Sequence, residues 1–164
     1  MFMNYSIPEV KLARIRECQV TNPNVNSPEA AAAFWREHVI KATWFDPDTE
    51  TAVAILLNTR RRAIGFSRIA SGTLDTLLVH PREVFKAAIV QGASAILFMH
   101  NHPSGDTGPS ESDVTITREL VRAGVILKIP LLDHIIIGDK TNLYPGWLSL
   151  RDAGFIYDET AKPS

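Results

Sequence analysis

The sequence predicts a single α/β domain built on a mixed β-sheet flanked by helices. Two patterns point there: helical and strand-like segments alternate along the chain, and several neighbouring strand-like segments are joined by hairpin-like turns. A third is composition, since 164 residues at 45% hydrophobic and 21% charged match an ordinary globular domain with enough chain to bury its own core.

The elements follow in order. Val10 to Val20 reads as a strand, and Thr21 to Asn26 as a turn segment. Ser27, Pro28 and Glu29 form a helix start, because Ser accepts from free first-turn amides and Pro at the first helical position loses no bond. That helix is expected to run to about Ala42, with Ala31, Phe34, Trp35, His38 and Val39 on its packed face. Thr51 to Leu57 is a nearly continuous apolar run suited to a strand buried on both faces. Asn58 to Arg62 turns the chain, Ala63 to Ala70 returns as a strand, and Leu77 to Val79 completes an expected meander. His80-Pro81 opens a helix that buries Val84, Phe85, Ala88 and Ile89 and stops at Gly92, and Ser94 to Met99 follows as a strand. After a Gly- and Pro-rich loop, Ser110 starts a helix with Val114, Thr117 and Val121 on one stripe and its end at Gly124. Val125 to Leu127 and Leu131 to Ile137 read as strands, Gly138 to Thr141 as a turn, and Asn142 to Tyr144 as a short returning strand.

Composition narrows the function classes. Lys plus Arg total 17 against 18 Asp plus Glu, so the chain lacks the basic excess with which phosphate-backbone binders displace counterions. Cys18 is the lone cysteine, which excludes an internal disulfide framework and a cysteine-rich zinc site and suits a reducing compartment. No apolar run approaches the roughly 20 residues that span a bilayer, and the N-terminus shows no signal-peptide pattern, so the cytoplasm is the expected location and no membrane partner is expected. Any metal needs histidines and carboxylates.

The chemically informative stretch is His100-Asn101-His102-Pro103 followed by Ser110 and Asp113, where an apolar strand runs into the Gly/Pro loop. Residues two apart on an extended chain face one side, so His100 and His102 can offer imidazoles from backbone positions about 6 to 7 Å apart. A reversal through Gly105 and Gly108 can fold the Asp113 carboxylate over the strand end, giving two nitrogens and one oxygen. Three protein ligands with an open position is the pattern of a catalytic zinc. Each part also has a structural reading. Ser110-x-x-Asp113 is the pattern of a helix capping box, and two histidines at a strand end can simply bond to nearby carbonyls.

The string His-x-His-Pro, six residues, Ser, two residues, Asp resembles the signature of the JAB/MPN (JAMM) metallopeptidases. The longer His100-Asn101-His102-Pro103-Ser104-Gly105 is similar to the RadC-like, UPF0758-type branch. The resemblance runs from about Glu50 to Phe155 and includes Gly72-Thr73, Pro81-Arg82-Glu83-Val84 and Leu132 to Gly138. It implies a cytidine-deaminase-like layering and zinc held by His100, His102 and Asp113. It further implies Ser110 as a stabiliser of the tetrahedral intermediate and water attacking an amide or isopeptide bond of a peptide or protein. The family's general base is an upstream glutamate, which Glu50 best matches; Glu83 competes, though a helix start also suits it to the dipole. Residues 1–45 are expected as an N-terminal arm and helix packed on the main body, 46–158 as the JAB/MPN domain and 159–164 as a flexible tail.

Some features depart from the family pattern. The first glycine is Gly65, so the N-terminus lacks the glycines of the helix-hairpin-helix found in longer RadC relatives. Asn101 differs from the Ser or Thr of the ubiquitin-cleaving branch, and Tyr144-Pro145-Gly146-Trp147 from the RadC ending. Asp133 and His134, adjacent on a strand, must face opposite sides, so at most one can back up a ligand. His38 and His80 receive no role, and Trp35, Trp44 and Trp147 are read as packing residues. Two rival functions remain: a DNA-repair or mobile-element binding module using the Arg60-Arg61-Arg62 turn, and an inactive scaffold, against which the intact ligand set argues.

Overall fold

The computed structural model describes residues 24–72 and 79–156. The expected strand at Val10 to Val20, most of the stretch Leu77 to Val79 and the tail from Thr160 lie outside those residues. The chain forms α1 (Pro28–Phe34), continued by a π-helical turn over Trp35–Val39, then β1 (Glu50–Leu57), β2 (Ala63–Gly72) and α2 (Pro81–Gln91). β3 (Ala95–Asn101), α3 (Glu111–Leu127), β4 (Leu131–Ile137) and β5 (Trp147–Ser149) complete it. The sheet is mixed as expected, with order β2-β1-β3-β4-β5; β3 and β4 are parallel and the other pairs antiparallel.

The middle strands β1 and β3 are mostly apolar because both faces of the sheet are covered there, whereas the edge strand β2, with Ser67 and Arg68, is only half-buried. On one face Val53, Ile55, Leu57, Leu97, Met99, Ile135 and Ile137 pack with Phe34, Trp35 and Val39 of the first helix. On the other, Ala52, Ala54, Leu56, Ile96 and Phe98 pack with Val84, Phe85 and Ala88 of α2 and Leu120 of α3. β1 and β3, whose residues are all buried, therefore read as continuous hydrophobic runs.

The helix starts follow the sequence. Ser27 Oγ accepts from Ala30 N, with Pro28 opening α1, and Gly92 ends α2 in the left-handed region at φ 63°. Several expectations are corrected. The first helix ends at the π-helical turn closing on Val39, short of Ala42. Ile89 is exposed rather than packed. The buried stripe of α3 is Asp113, Thr117, Leu120 and Gly124, rotated so that Val114 and Val121 are only half-buried. α3 does not stop at Gly124 but runs to Leu127, so Val125 to Leu127 are helical, not a strand. The reason is tertiary: a Cβ on Gly124 would sit 2.7 Å from the Ile129 carbonyl oxygen, so this glycine lets the returning chain approach the helix. Asn142 to Tyr144 form no strand, because the Thr141 hydroxyl accepts from the backbone N–H groups of Leu143 and Tyr144 and closes a local turn. Strand pairing begins at Trp147, opposite Ile137. Among the described residues β2 is an edge strand with β1 as its neighbour, and Val79, the one described residue of the expected third meander stretch, has no strand conformation.

Candidate metal centre

β1 and β3 run antiparallel with Ala52 opposite His100, so Glu50 at the start of β1 and His100 at the end of β3 share the α3 side of the sheet. β3 ends at Asn101, and His102 N donates to Ile137 O as the chain leaves the sheet. The loop then folds back through Gly105, whose N–H bonds to His102 O. Ser110 caps α3: its hydroxyl oxygen accepts from Asp113 N, and its own N–H donates to Asp113 Oδ2 at 2.7 Å. The capping box and the ligand reading are thus both satisfied by Asp113, because Oδ1 takes no part in the cap and faces His100.

Glu50, His100, His102 and Asp113 are buried, and one donor atom from each lies within 4.8 Å of all the others. His100 Nε2 is 2.9 Å from His102 Nε2, 3.1 Å from Asp113 Oδ1 and 3.6 Å from Glu50 Oε1. His102 Nε2 is 3.4 Å from Asp113 Oδ2. Among the described residues, Glu50 Oε2 is buried without a hydrogen-bond partner. Two imidazole nitrogens at contact distance beside a carboxylate and an orphaned carboxylate oxygen form a donor set short of positive charge, which fits a divalent cation.

The electrostatics agree. Burial pushes the Glu50 carboxyl up to about 7, with the Asp113 charge adding to it against His102. Burial alone would also raise Asp113, but the two imidazoles facing it outweigh that effect and hold this carboxyl well below the ordinary carboxylate range. Burial lowers His100, whereas at His102 the burial effect is overcome by the nearby Asp113 carboxylate and the Asp106 carbonyl, which raise it.

The surroundings hold the donors in place. Asn101, on the opposite side of β3, accepts from Thr51 N at 2.9 Å and donates to Thr49 O at 3.1 Å, bracketing the backbone of Glu50. His102 Nδ1 lies 2.7 Å from Asp106 O. His134 stands behind His100, its Nε2 2.8 Å from His100 Nδ1, and Thr117 Oγ1 is 2.6 Å from His134 Nδ1. The centre opens onto a cleft of about 350 Å³ lined by Phe98, Ile116, Glu111 and Glu119 among others.

Four of the sequence-predicted residues are therefore brought together. Ser110 joins them through its hydroxyl, which donates to Asp113 Oδ2 at 2.7 Å. Glu83 does not join them: it is exposed at the start of α2 beside Arg82. Asp133 and His134 do face opposite sides. Asp133 accepts from Ser149 Oγ, Arg151 N and His134 N, away from the cluster. Arg60, Arg61 and Arg62 are exposed at the far end of β1 from Glu50. The bracketing by Asn101 and the Thr117 contact were not legible in the sequence, because both partners come from distant segments.

Comparison with known proteins agrees with this geometry. A model of the RadC-like JAB domain matches residues 25–155. The chain is similar to the UPF0758 protein ABC2615 of Shouchella clausii, 40% identical over 140 residues, covering 85% of this chain and 56% of that protein. It is also similar to the UPF0758 protein TTE0897 of Caldanaerobacter subterraneus, 50% identical over 104 residues, covering 63% of this chain and 42% of the relative. The UPF0758 protein GWCH70_2550 of a Geobacillus strain is 41% identical over 132 residues, covering 80% and 54% respectively. The chain spans about half the length of these relatives.

Proposed function

The chain belongs to the RadC-like JAB domain family, and from that premise we propose that it is a zinc-dependent hydrolase of the JAMM type, cutting an amide or isopeptide bond in a peptide or protein. The observation that carries this reading is the convergence of His100, His102, Asp113 and the unpartnered Glu50 oxygen at the mouth of a cleft. His100, His102 and Asp113 would hold the ion, a mixed nitrogen and oxygen set that suits zinc. When bound, such an ion supplies Lewis acidity, making water a nucleophile near neutral pH and polarising a carbonyl.

Glu50 does the proton work. A carboxylate at this buried edge of the cluster, close to the donors that would hold the ion, can take a proton from water and return it to the leaving nitrogen. Asn101 fixes the backbone from which Glu50 projects, so the carboxylate needs little reorganisation. Ser110 aims Asp113 at the histidines, and its hydroxyl can turn to an oxyanion only by releasing the Asp113 bond. The apolar floor of the cleft, with Phe98 and Ile116, receives the chain to be cut and sheds water. With Cys18 the lone cysteine, a reducing cytoplasm suits the protein.

The test is hydrolysis of a peptide library by the full chain after zinc loading, alongside elemental analysis. Wild type should carry zinc and cut. Glu50→Gln should lose about 10²- to 10⁴-fold in rate with its zinc content unchanged. Zinc-free wild type under saturating metal, or an active Glu50→Gln variant, would sink the reading.

A further inference from the structure

Behind His100 lies a chain of buried groups that the proposed reaction does not use: Thr117, 0% exposed, and His134, 0% exposed. Thr117 has one hydroxyl proton and two near neighbours, the Asp113 carbonyl oxygen at 2.5 Å and His134 Nδ1 at 2.6 Å. A carbonyl can only accept, so the proton lies toward Asp113 O. The Thr117 oxygen then has only lone pairs to offer His134, and His134 Nδ1 must carry the hydrogen that meets it.

His134 is enclosed by Phe98, His100 and Thr117, with the Phe98 ring centroid 4.8 Å away and, among the described residues, no carboxylate hydrogen-bonded to either ring nitrogen, so a charge on it would lack compensation. A neutral imidazole has a single N–H. With that hydrogen on Nδ1, Nε2 is an acceptor, and the group it faces at 2.8 Å, His100 Nδ1, must donate. In a neutral His100 ring, Nε2 is thereby left as a lone pair. At His102, Nδ1 faces Asp106 O and donates to it, so in the neutral ring Nε2 is likewise the nitrogen offered to a cation.

We propose that Thr117 and His134 are positioning residues that fix the proton of His100 on Nδ1, so that Nε2 is kept as a cation ligand. The proposal rests on the metal-centre reading above and extends it to two residues outside the cluster. The reversed chain would place a hydrogen on His100 Nε2, directed at Asp113 Oδ1 3.1 Å away, and would close the site to a cation. Histidine ligands are commonly backed by a carboxylate or a carbonyl. A neutral imidazole in that position orients His100 without adding negative charge to the centre, which preserves the electrophilic character of an ion held there.

The experiment begins with metal-free wild type, uniformly labelled with ¹⁵N, in which long-range proton–nitrogen correlations report the protonated nitrogen of each ring. His134 and His100 should both be protonated at Nδ1. Zinc affinity by competition with a chromogenic chelator should fall about 10- to 100-fold in Thr117→Val and stay near wild type in Thr117→Ser, which restores the hydroxyl. Thermal melting checks that each variant is folded; were Thr117→Val unfolded, the wild-type proton placement and Thr117→Ser still decide. A hydrogen on His134 Nε2 in wild type, or wild-type zinc affinity in folded Thr117→Val, overturns the proposal. Protons placed as described in a wild type with no zinc affinity would instead overturn the metal reading and leave the tautomer assignment standing.

Discussion

The two faces of the central sheet both bury polar side chains, and they satisfy them in opposite ways. On the α1 side, Asp133 and Asn101 bond mainly to backbone: Asp133 to His134 N and Arg151 N with Ser149 Oγ, Asn101 to Thr51 N and Thr49 O. These side chains stitch loops and strand ends to the sheet. On the α3 side, His100, His102, Asp113 and Glu50 bring donor atoms toward one point; an orphaned oxygen is found on both sides among the described residues, Glu50 Oε2 here and Thr51 Oγ1 on the α1 side, but only on the α3 side do the donors converge. A buried network that uses its capacity on the backbone is structural, whereas one that converges on a point short of positive charge is prepared for a ligand.

The sharpest way to break that comparison is to remove one member from each face. His102→Ala should abolish retained zinc, measured by elemental analysis after dialysis, while Asp133→Ala should leave zinc content at the wild-type level. Asp133→Ala should instead lose stability, about 1 to 3 kcal/mol for each buried donor left unmade, read from denaturant unfolding. Zinc loss in Asp133→Ala with its fold intact would mean that the two faces are not independent.

A second effect concerns pH. In the metal-free protein the Glu50 carboxyl is raised from 4.5 to about 7 by burial, so the folded chain holds a proton that the unfolded chain releases between those values. Its favourable contribution is present below about pH 4.5 and lost as pH rises through about 7. Glu50→Gln should therefore melt higher than metal-free wild type above pH 7, by about 2 to 4 °C for each kcal/mol recovered, and the difference should shrink toward pH 4.5. Calorimetry across that range checks it. Equal melting at both ends would show that the site does not strain the apo fold.

The smallest effect separates two serines that cap helices. Ser27→Ala and Ser110→Ala should each cost about 0.5 to 2 kcal/mol in unfolding free energy. Only Ser110→Ala should also weaken zinc binding, because only Ser110 bonds to a carboxylate of the cluster. Matched zinc affinity in the two variants would reduce the Ser110 hydroxyl to a cap.

Much of the fold was readable from local pattern. The apolar runs of β1, β3 and β4, the Ser27 and Ser110 caps and the Gly92 stop depend on neighbours in sequence, and they stand where the pattern puts them. Errors arose where a distant segment overrode a local preference. β-Branched Val125 and Ile126 remain helical because α3 continues past Gly124, whose missing side chain lets Ile129 pass close by. Asn142 to Tyr144 lose strand pairing to the Thr141 turn.

The site divides along the same line. Sequence alone determined which atoms were available: two imidazoles two residues apart, and a carboxylate one turn into a capped helix, because those relations are short-range. Tertiary structure decided that Glu50 rather than Glu83 stands beside them, since only the antiparallel register of β1 against β3 carries a residue fifty positions away from His100 to its side. It also decided that His134 and Thr117 stand behind His100, a contact made by packing α3 across β3 and β4, which no local pattern encodes.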